Sequence, residues 1–351
     1  MSGGIAQLVA VGAQDAHLVG SPEISFFRST YKRHTNFSQT VERQVIQGNV
    51  ANNGMSTIRF ERKGDLLNYV YLNPLELDSS SSNTNITSWS TVIDKVELLI
   101  GGQVIDEQDT TYTGVIAPKI MATSYSKSRD AGIYRHGTGQ GFYPLRFFFC
   151  ENWQSALPLI ALQYHDVELR ITWGSAAAGS KWEVYANYAY LDTNERDYFA
   201  STPQNMIITQ VQKATASQAK IQELNFNHPV KFLASATPTR GSLTMMDSGN
   251  KLKLQINGTD VADYKFALPN FGLASMYYHS PYADADSNRS VFLYPFCLDT
   301  AKLQPTGSLN FSRLDSARIL SQTQNIDSTI YAVNYNVLRI ENGMGGLLYS
   351  N

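Results

Sequence analysis

The strongest pattern in this chain is a strict alternation of apolar and polar positions at Val167–Trp173. Val167, Leu169, Ile171 and Trp173 fall on one side, and Glu168, Arg170 and Thr172 on the other. A period of two carried by β-branched and aromatic residues predicts a strand with one buried face. Similar strand signals recur at 56–62 (STIRFER), 92–100 (VIDKVELLI), 181–191 (KWEVYANYAYL), 206–211, 251–256 (KLKLQI), 290–296 and 329–340. A longer apolar run at 66–77 is interrupted by Pro74. Gly101-Gly102, Asn257-Gly258 and a Ser/Asn cluster at 79–85 punctuate these runs as turns. Helical periodicity is confined to short stretches at 5–13 and 194–200. Serial short strands without alternating helices predict an all-β sandwich or barrel.

A length of 351 residues has room for two such domains. The expected junction is soft and lies within 197–217, where Ser, Thr, Asn, Pro and Gln collect around the strand at 206–211. An internal echo supports a sandwich that occurs twice. Cys150 is followed by Pro158 and Cys297 by Pro305, and each cysteine comes after a Tyr-Pro pair, Tyr143-Pro144 and Tyr294-Pro295.

Composition narrows the function classes. Charged residues make up 17% of the chain, against roughly 25% in ordinary globular proteins. With 20 Tyr and 16 Phe, the composition suits a β-rich protein whose surface is held against neighbours. The net charge is −2, and the densest basic cluster is RSTYKR at 28–33. A protein that coats nucleic acid needs a clustered phosphate-neutralising face, so direct nucleic-acid binding is not expected. Cys150 and Cys297 sit in aromatic runs and read as buried apolar thiols; a disulfide is the less favoured reading. The first residues lack a basic leader, and Gln14, Asp15 and the glycines interrupt them before a membrane span of about 20 residues is reached. A cytosolic protein with no signal, anchor or span is expected.

No catalytic residue, metal ligand or cofactor is predicted. The six histidines are dispersed, with none paired at metal-ligand spacing. His165-Asp166 are adjacent in sequence, which on a strand turns them to opposite faces. No serine lies in a G-x-S-x-G elbow. Gly343, Gly345 and Gly346 lack the Lys-Ser/Thr of a phosphate loop, and close backbone approach or positive φ accounts for them better.

Five segments carry a resemblance to a known family: residues 3–38 (GGIAQLVAVGAQDAHLVGSPEISFFRSTYKRHTNFS), 96–106 (VELLIGGQVID), 156–171 (ALPLIALQYHDVELRI), 305–315 (PTGSLNFSRLD) and 331–351 (YAVNYNVLRIENGMGGLLYSN). Together they resemble the major capsid proteins of nucleocytoplasmic large DNA viruses. The resemblance implies two consecutive eight-stranded jelly rolls, with an N-terminal arm at 1–24, a first roll at 25–202 and a second at 203–351. It implies a homotrimer of pseudo-hexagonal outline that tiles an icosahedral virion shell, synthesised and assembled in the host cytoplasm. Its implied partners are neighbouring capsomers and minor capsid proteins, with an inner viral membrane nearby but not entered. Leu8, Leu18, Phe26, Phe27, Tyr31, Arg33 and His34 are the candidate assembly residues, on the arm and just after it. Two readings stay open for them: an arm that orders on assembly, and an ordinary coil or first strand packed on its own domain.

Asn-x-Ser/Thr sequons occur at Asn36, Asn85, Asn257, Asn288 and Asn310, of which Asn85 and Asn257 lie in expected turns and are the candidates for glycosylation. The chain also departs from the family pattern. ENWQS at 151–155 stands where Pro-Gly is common, and 255–274 looks short. These departures keep a minor capsid paralogue in view. From another class, a β-sandwich carbohydrate-binding module would use Trp89, Trp153, Trp173 and Trp182 as stacking platforms.

Overall fold

The computed structural model describes residues 3–77, 86, 88–128, 141–238, 241–282 and 290–350. The chain forms two compact units, Met1–Asn36 and Phe37–Asn351. The first unit holds the short helices Gly3–Val9 and Ala16–Val19, and its residues from 29 to 36 have no regular structure. Asp15 accepts a hydrogen bond from the Gly12 N–H at 2.7 Å through its Oδ2.

The second unit is built from antiparallel strands. In the first half these are β1 (Phe37–Gln44), β2 (Met55–Arg59), β3 (Leu66–Leu75), β4 (Ile93–Ile100), β5 (Gln103–Asp109), β6 (Tyr143–Pro144), β7 (Val167–Trp173) and β8 (Lys181–Leu191). The second half supplies β9 (Gln204–Ala214), β10 (Ile221–Glu223), β11 (Pro229–Ala236), β12 (Lys251–Ile256), β13 (Thr259–Asp260), β14 (Val291–Pro295), β15 (Ala317–Ser321), β16 (Ile330–Glu341) and β17 (Met344–Leu347). Leaving aside the two-residue strands Ile46–Gln47, Leu157–Pro158, Lys265–Phe266 and Leu309–Asn310, which pair with β2, β3, β12 and β11, the sheet orders are β1-β8-β3-β6 and β2-β7-β4-β5 in the first half, and β9-β16-β11-β14 and β10-β15-β12-β13 in the second. Adding eight to every label of the first pair gives the second pair. Each half is thus a sandwich of two sheets joined by the same crossovers, a jelly roll, and the chain is a double jelly roll. The echo in the sequence falls on one equivalent strand pair: Tyr143-Pro144 is β6, and Tyr294-Pro295 ends β14.

Local chemistry accounts for most strands. In β7, Val167, Leu169, Ile171 and Trp173 are buried while the residues between them are half-buried. Gly101 and Gly102 have φ of 58° and 82°, and Asn257 and Gly258 have 49° and 77°. Two successive left-handed residues make the tight hairpins β4–β5 and β12–β13 that the GG and NG pairs predict. Pro74 does not end β3, which runs on to Leu75 and pairs Pro74 with Trp182 of β8. The other neighbours of β3 reach it only at residues 66–67 and 71–72. Beyond them Pro74 lies on a one-sided stretch of ladder, where a missing N–H is tolerated. The 193–201 helix starts at Asp192, whose Oδ1 accepts from the Thr193 N–H at 2.8 Å.

Tryptophans seal the first core. Trp173 and Trp182 lie 5.0 Å apart between ring centroids, Trp89 lies 6.0 Å from Trp182 and 5.0 Å from Tyr143, and the Trp173 Nε1–H donates to Ser56 Oγ at 2.8 Å. The second core gathers around Phe271, Phe292, Phe311, Leu252 and Ile319. Both cysteines are free thiols. Burial pushes the Cys150 thiol up to about 12, as an apolar setting does to a group that must stay neutral.

Candidate assembly surfaces

Two kinds of surface stand out. Among the described residues no group of His, Cys, Asp or Glu could hold a metal ion, and no helix is long and apolar enough to cross a membrane. What remains is the contact between the halves and the apolar groups left outside.

The Met1–Asn36 unit carries the seven predicted assembly residues, and every one is exposed. Phe27 is 99% exposed and Phe26 89%. They precede the first strand, β1, which starts at Phe37. His34 Nδ1 lies 2.8 Å from the Thr35 carbonyl. Aromatic side chains this open in water leave a large apolar area to be buried by a contact.

The halves of the second unit are joined by a helical segment. After β5 the chain makes a π-helical turn, Tyr112–Ile116, and continues as the helix Ala117–Ile120. Tyr112, Val115, Ile116 and Ile120 form one buried cluster with Phe232, Ala234, Val291, Leu293, Tyr331 and Val333. Those partners occupy the outer face of the β9-β16-β11-β14 sheet, while Val230, Leu233, Phe292, Ile330 and Ala332 point into the second core. The open carbonyl of Ile120 accepts from Ser280 Oγ at 2.9 Å and Thr300 Oγ1 at 2.6 Å, so second-half hydroxyls cap a first-half helix. The Tyr331 hydroxyl donates to Asp109 Oδ2 at 2.7 Å.

A polar seam runs beside this cluster. Asp106 at the middle of β5 accepts from the Val211 N–H of β9 at 2.9 Å and from Gln108 Nε2 at 2.7 Å. Burial pushes its carboxyl up to about 7, although these hydrogen bonds pull the other way. Gln210 donates to the Ile105 carbonyl, and its Oε1 accepts from Asn336 Nδ2 at 2.9 Å. Outside the seam, Lys213 meets Glu107 at 2.9 Å, Glu107 meets Lys95 at 3.0 Å, and Lys95 meets Glu97 at 3.0 Å. This ladder crosses from one half to the other, and its half-exposed members each contribute little.

The C-terminal hairpin β16–β17 grips the first half from another side. Gly343 has φ of 77°, and its carbonyl accepts from the Tyr164 N–H at 2.9 Å. A Cβ on Gly343 would lie 2.6 Å from the Tyr164 ring, and one on Gly345 2.6 Å from Leu162 Cδ2. His165 Nδ1 is 2.9 Å from the Gly345 carbonyl oxygen. Close approach and positive φ together explain these glycines. His165 thus serves packing, and its neighbour Asp166 pairs with Arg62 at 3.6 Å and with Arg59 at 2.5 Å. A Gly345→Val variant should lose about 1–3 kcal/mol of folding stability through overpacking, measured by urea unfolding; an unchanged midpoint would contradict the contact.

The remaining sequence candidates separate clearly. Asn257 is exposed, and its Oδ1 accepts from the Asp315 and Ser316 N–H groups at 2.9 and 3.1 Å. Asn310 likewise accepts from the Ser312 N–H at 3.0 Å. Asn85 and Asn288 lie outside the described residues. Of the four tryptophans offered as sugar platforms, Trp89, Trp173 and Trp182 are buried in the first core, and Trp153 is exposed. The carbohydrate reading keeps one of its four platforms, because strand alternation turns Trp173 and Trp182 inward and the short helical turn Trp89–Thr91 buries Trp89.

Comparison with known proteins agrees with this architecture. A family model described as the major capsid protein N-terminus matches residues 25–200, and one described as the large eukaryotic DNA virus major capsid protein matches residues 195–346. The chain belongs to the major capsid protein family of large eukaryotic DNA viruses. Like its relatives, it is a structural capsid protein and not an enzyme. The major capsid protein of Pyramimonas orientalis virus is 35% identical over 416 residues, with 100% of both chains covered. That of Paramecium bursaria Chlorella virus 1 is 32% identical, again over 100% of both. Among solved structures, a chain of the quasi-atomic PBCV-1 virus capsid superposes with a TM-score of 0.78 at 27% identity, covering 93% of this chain and 100% of the other. The Faustovirus major capsid protein shares the fold alone, with a TM-score of 0.65 at 10% identity over 94% of each chain.

Proposed function

We propose that this capsid protein acts as a homotrimeric capsomer of pseudo-hexagonal outline, and that such capsomers tile an icosahedral shell around an inner membrane. The observation that carries this reading is the repeat of one sheet order in both halves. Two similar rolls per chain give three chains six near-equivalent sides, which suits hexagonal tiling. Coverage of the whole chain by two viral major capsid proteins favours the major coat role over a minor paralogue. Its partners are then other copies of itself and minor capsid proteins, assembled in the host cytoplasm, with no nucleic acid bound directly.

In this reading the rolls divide at 202/203 and residues 1–24 are an arm that orders against neighbouring capsomers. Glycine-rich, sparsely charged segments of this kind gain order when a partner supplies the buried area they lack. Light scattering on the purified protein should give about three times the chain mass of 39.0 kDa, and deletion of 1–24 should leave a trimer of the shortened chain while lowering shell yield. A protein that stays monomeric at high concentration would overturn the trimer. Shells of normal yield and order from the deleted protein would overturn the arm.

A further inference from the structure

The chain makes only one half of a contact that its internal repeat provides twice. The second half has its own helical segment in the equivalent place, between β13 and β14: a π-helical turn at Asn270–Ala274 continued by the helix Ser275–His279. The two π-turns read YTGVI and NFGLA, each with glycine third, Gly114 and Gly272. Alignment on those glycines sets Val115 against Leu273, Lys119 against Tyr277 and Ile120 against Tyr278. Val115 and Ile120 are buried at the junction between the halves, and Lys119 Nζ donates across it to Ser290 Oγ at 2.9 Å. Their counterparts face solvent: Leu273 is 44%, Tyr277 77% and Tyr278 75% exposed.

The complementary sheet face is also repeated. In the second half the outer face of β9-β16-β11-β14 receives the 112–120 segment. In the first half the outer face of β1-β8-β3-β6 carries an aromatic ladder instead. Tyr71 is paired with Tyr185 in the sheet register and stacks on it at 5.4 Å. Phe142 meets Tyr71 edge-on at 5.6 Å, and Tyr69 stacks at 6.4 Å. Tyr69 and Phe142 remain nearly half exposed. A single chain cannot bring its own second segment to its own first sheet by the same operation, since that operation relates first half to second.

We infer that the 270–279 segment of one copy docks on the Tyr69–Tyr71–Phe142–Tyr185 face of the next, repeating between chains the contact that 112–120 makes within each. This rests on the trimer reading above and assigns its interface. Such a contact is head-to-tail, and head-to-tail contacts close into rings when the rotation per step divides the circle. Three chains then alternate three internal and three external copies of one junction. The tyrosines suit the task, being large, rigid and cheap to immobilise.

The test compares Tyr278→Asp, Tyr71→Arg and the two together with the wild type by light scattering across a dilution series. Each single variant should keep a wild-type thermal melt as a monomer and weaken association about tenfold or more, and the pair should regain part of it through the new charge contact. A wild type that never trimerises overturns both the trimer and this interface. Wild-type trimers with unaffected single variants overturn the interface alone. Loss caused by Tyr71→Arg but not Tyr278→Asp means another segment occupies the sheet face, which also overturns it. As a second measurement, trimers of the Tyr71→Cys, Tyr278→Cys double variant treated with a short bismaleimide should give chains linked in pairs and threes. Trimers that yield no link overturn the assignment; the native Cys150 and Cys297, half-buried and buried, give little background.

Discussion

A Trp173→Ala variant should lose about 3–5 kcal/mol of folding stability, the largest single-residue effect expected in this chain. The indole is 1% exposed, packs at a tilt against Trp182, and holds the buried Ser56 hydroxyl through Nε1. Truncation would open a cavity where β2, β7 and β8 meet and would leave Ser56 without its partner. Because Trp182 in turn meets Trp89 edge-on, the loss would propagate along a row of ring contacts that spans both sheets of the first roll. Urea unfolding of the purified protein measures it, and a loss below about 1 kcal/mol would mean that the site collapses around the missing ring. A Trp173→Phe variant, which keeps most of the volume but no donor, should fall between the two.

The second large effect is on pH dependence and lies at Asp106. Its carboxyl is raised from 3.8 to about 7 in the folded chain, chiefly by burial. A carboxyl with a raised folded pKa binds its proton more tightly when folded. Its contribution to stability is therefore complete below the unfolded value and is lost as pH climbs through the folded one. The rise corresponds to roughly 4 kcal/mol. Stability of the wild type relative to Asp106→Asn should be flat below about pH 4, fall between there and about 7, and level off above. A difference that does not vary with pH would refute a titrating carboxyl there. The same carboxylate accepts from the Val211 N–H of β9, so its charge bears on the seam between the rolls as well as on overall stability. Neighbouring Glu107 behaves oppositely: burial works against its ionisation, but Lys213 and Lys95 hold its pKa below the ordinary value. The comparison with Asp106→Asn removes that opposing trend, which both proteins share.

The linear pattern determined a good part of this protein. Several strands with one wet face were legible, because alternation is a local record of burial: β7, β8 and β12 stand where their residues alternate, whereas β15, too short at five residues to stand out, alternates as well and was not read. The two tight hairpins stand where GG and NG were read as turns, and the Tyr-Pro echo, a hint of a repeated sandwich, falls on equivalent strands. Where burial comes from two sides, the pattern goes silent. β11, PVKFLASA, is buried on both faces, one turned to its own core and the other to the 112–120 segment, so it shows no alternation. That segment and 270–279 were missed for a related reason: they are short, open with π-turns, and draw their order from packing rather than from a helical stripe. The glycines of the last hairpin were read as close-approach positions, but their partners Leu162 and Tyr164 lie far back in the chain. Asp106 carried no signal of its own in the sequence. Only the meeting of β5 with β9 buried it, and desolvation, which no linear pattern records, set its chemistry.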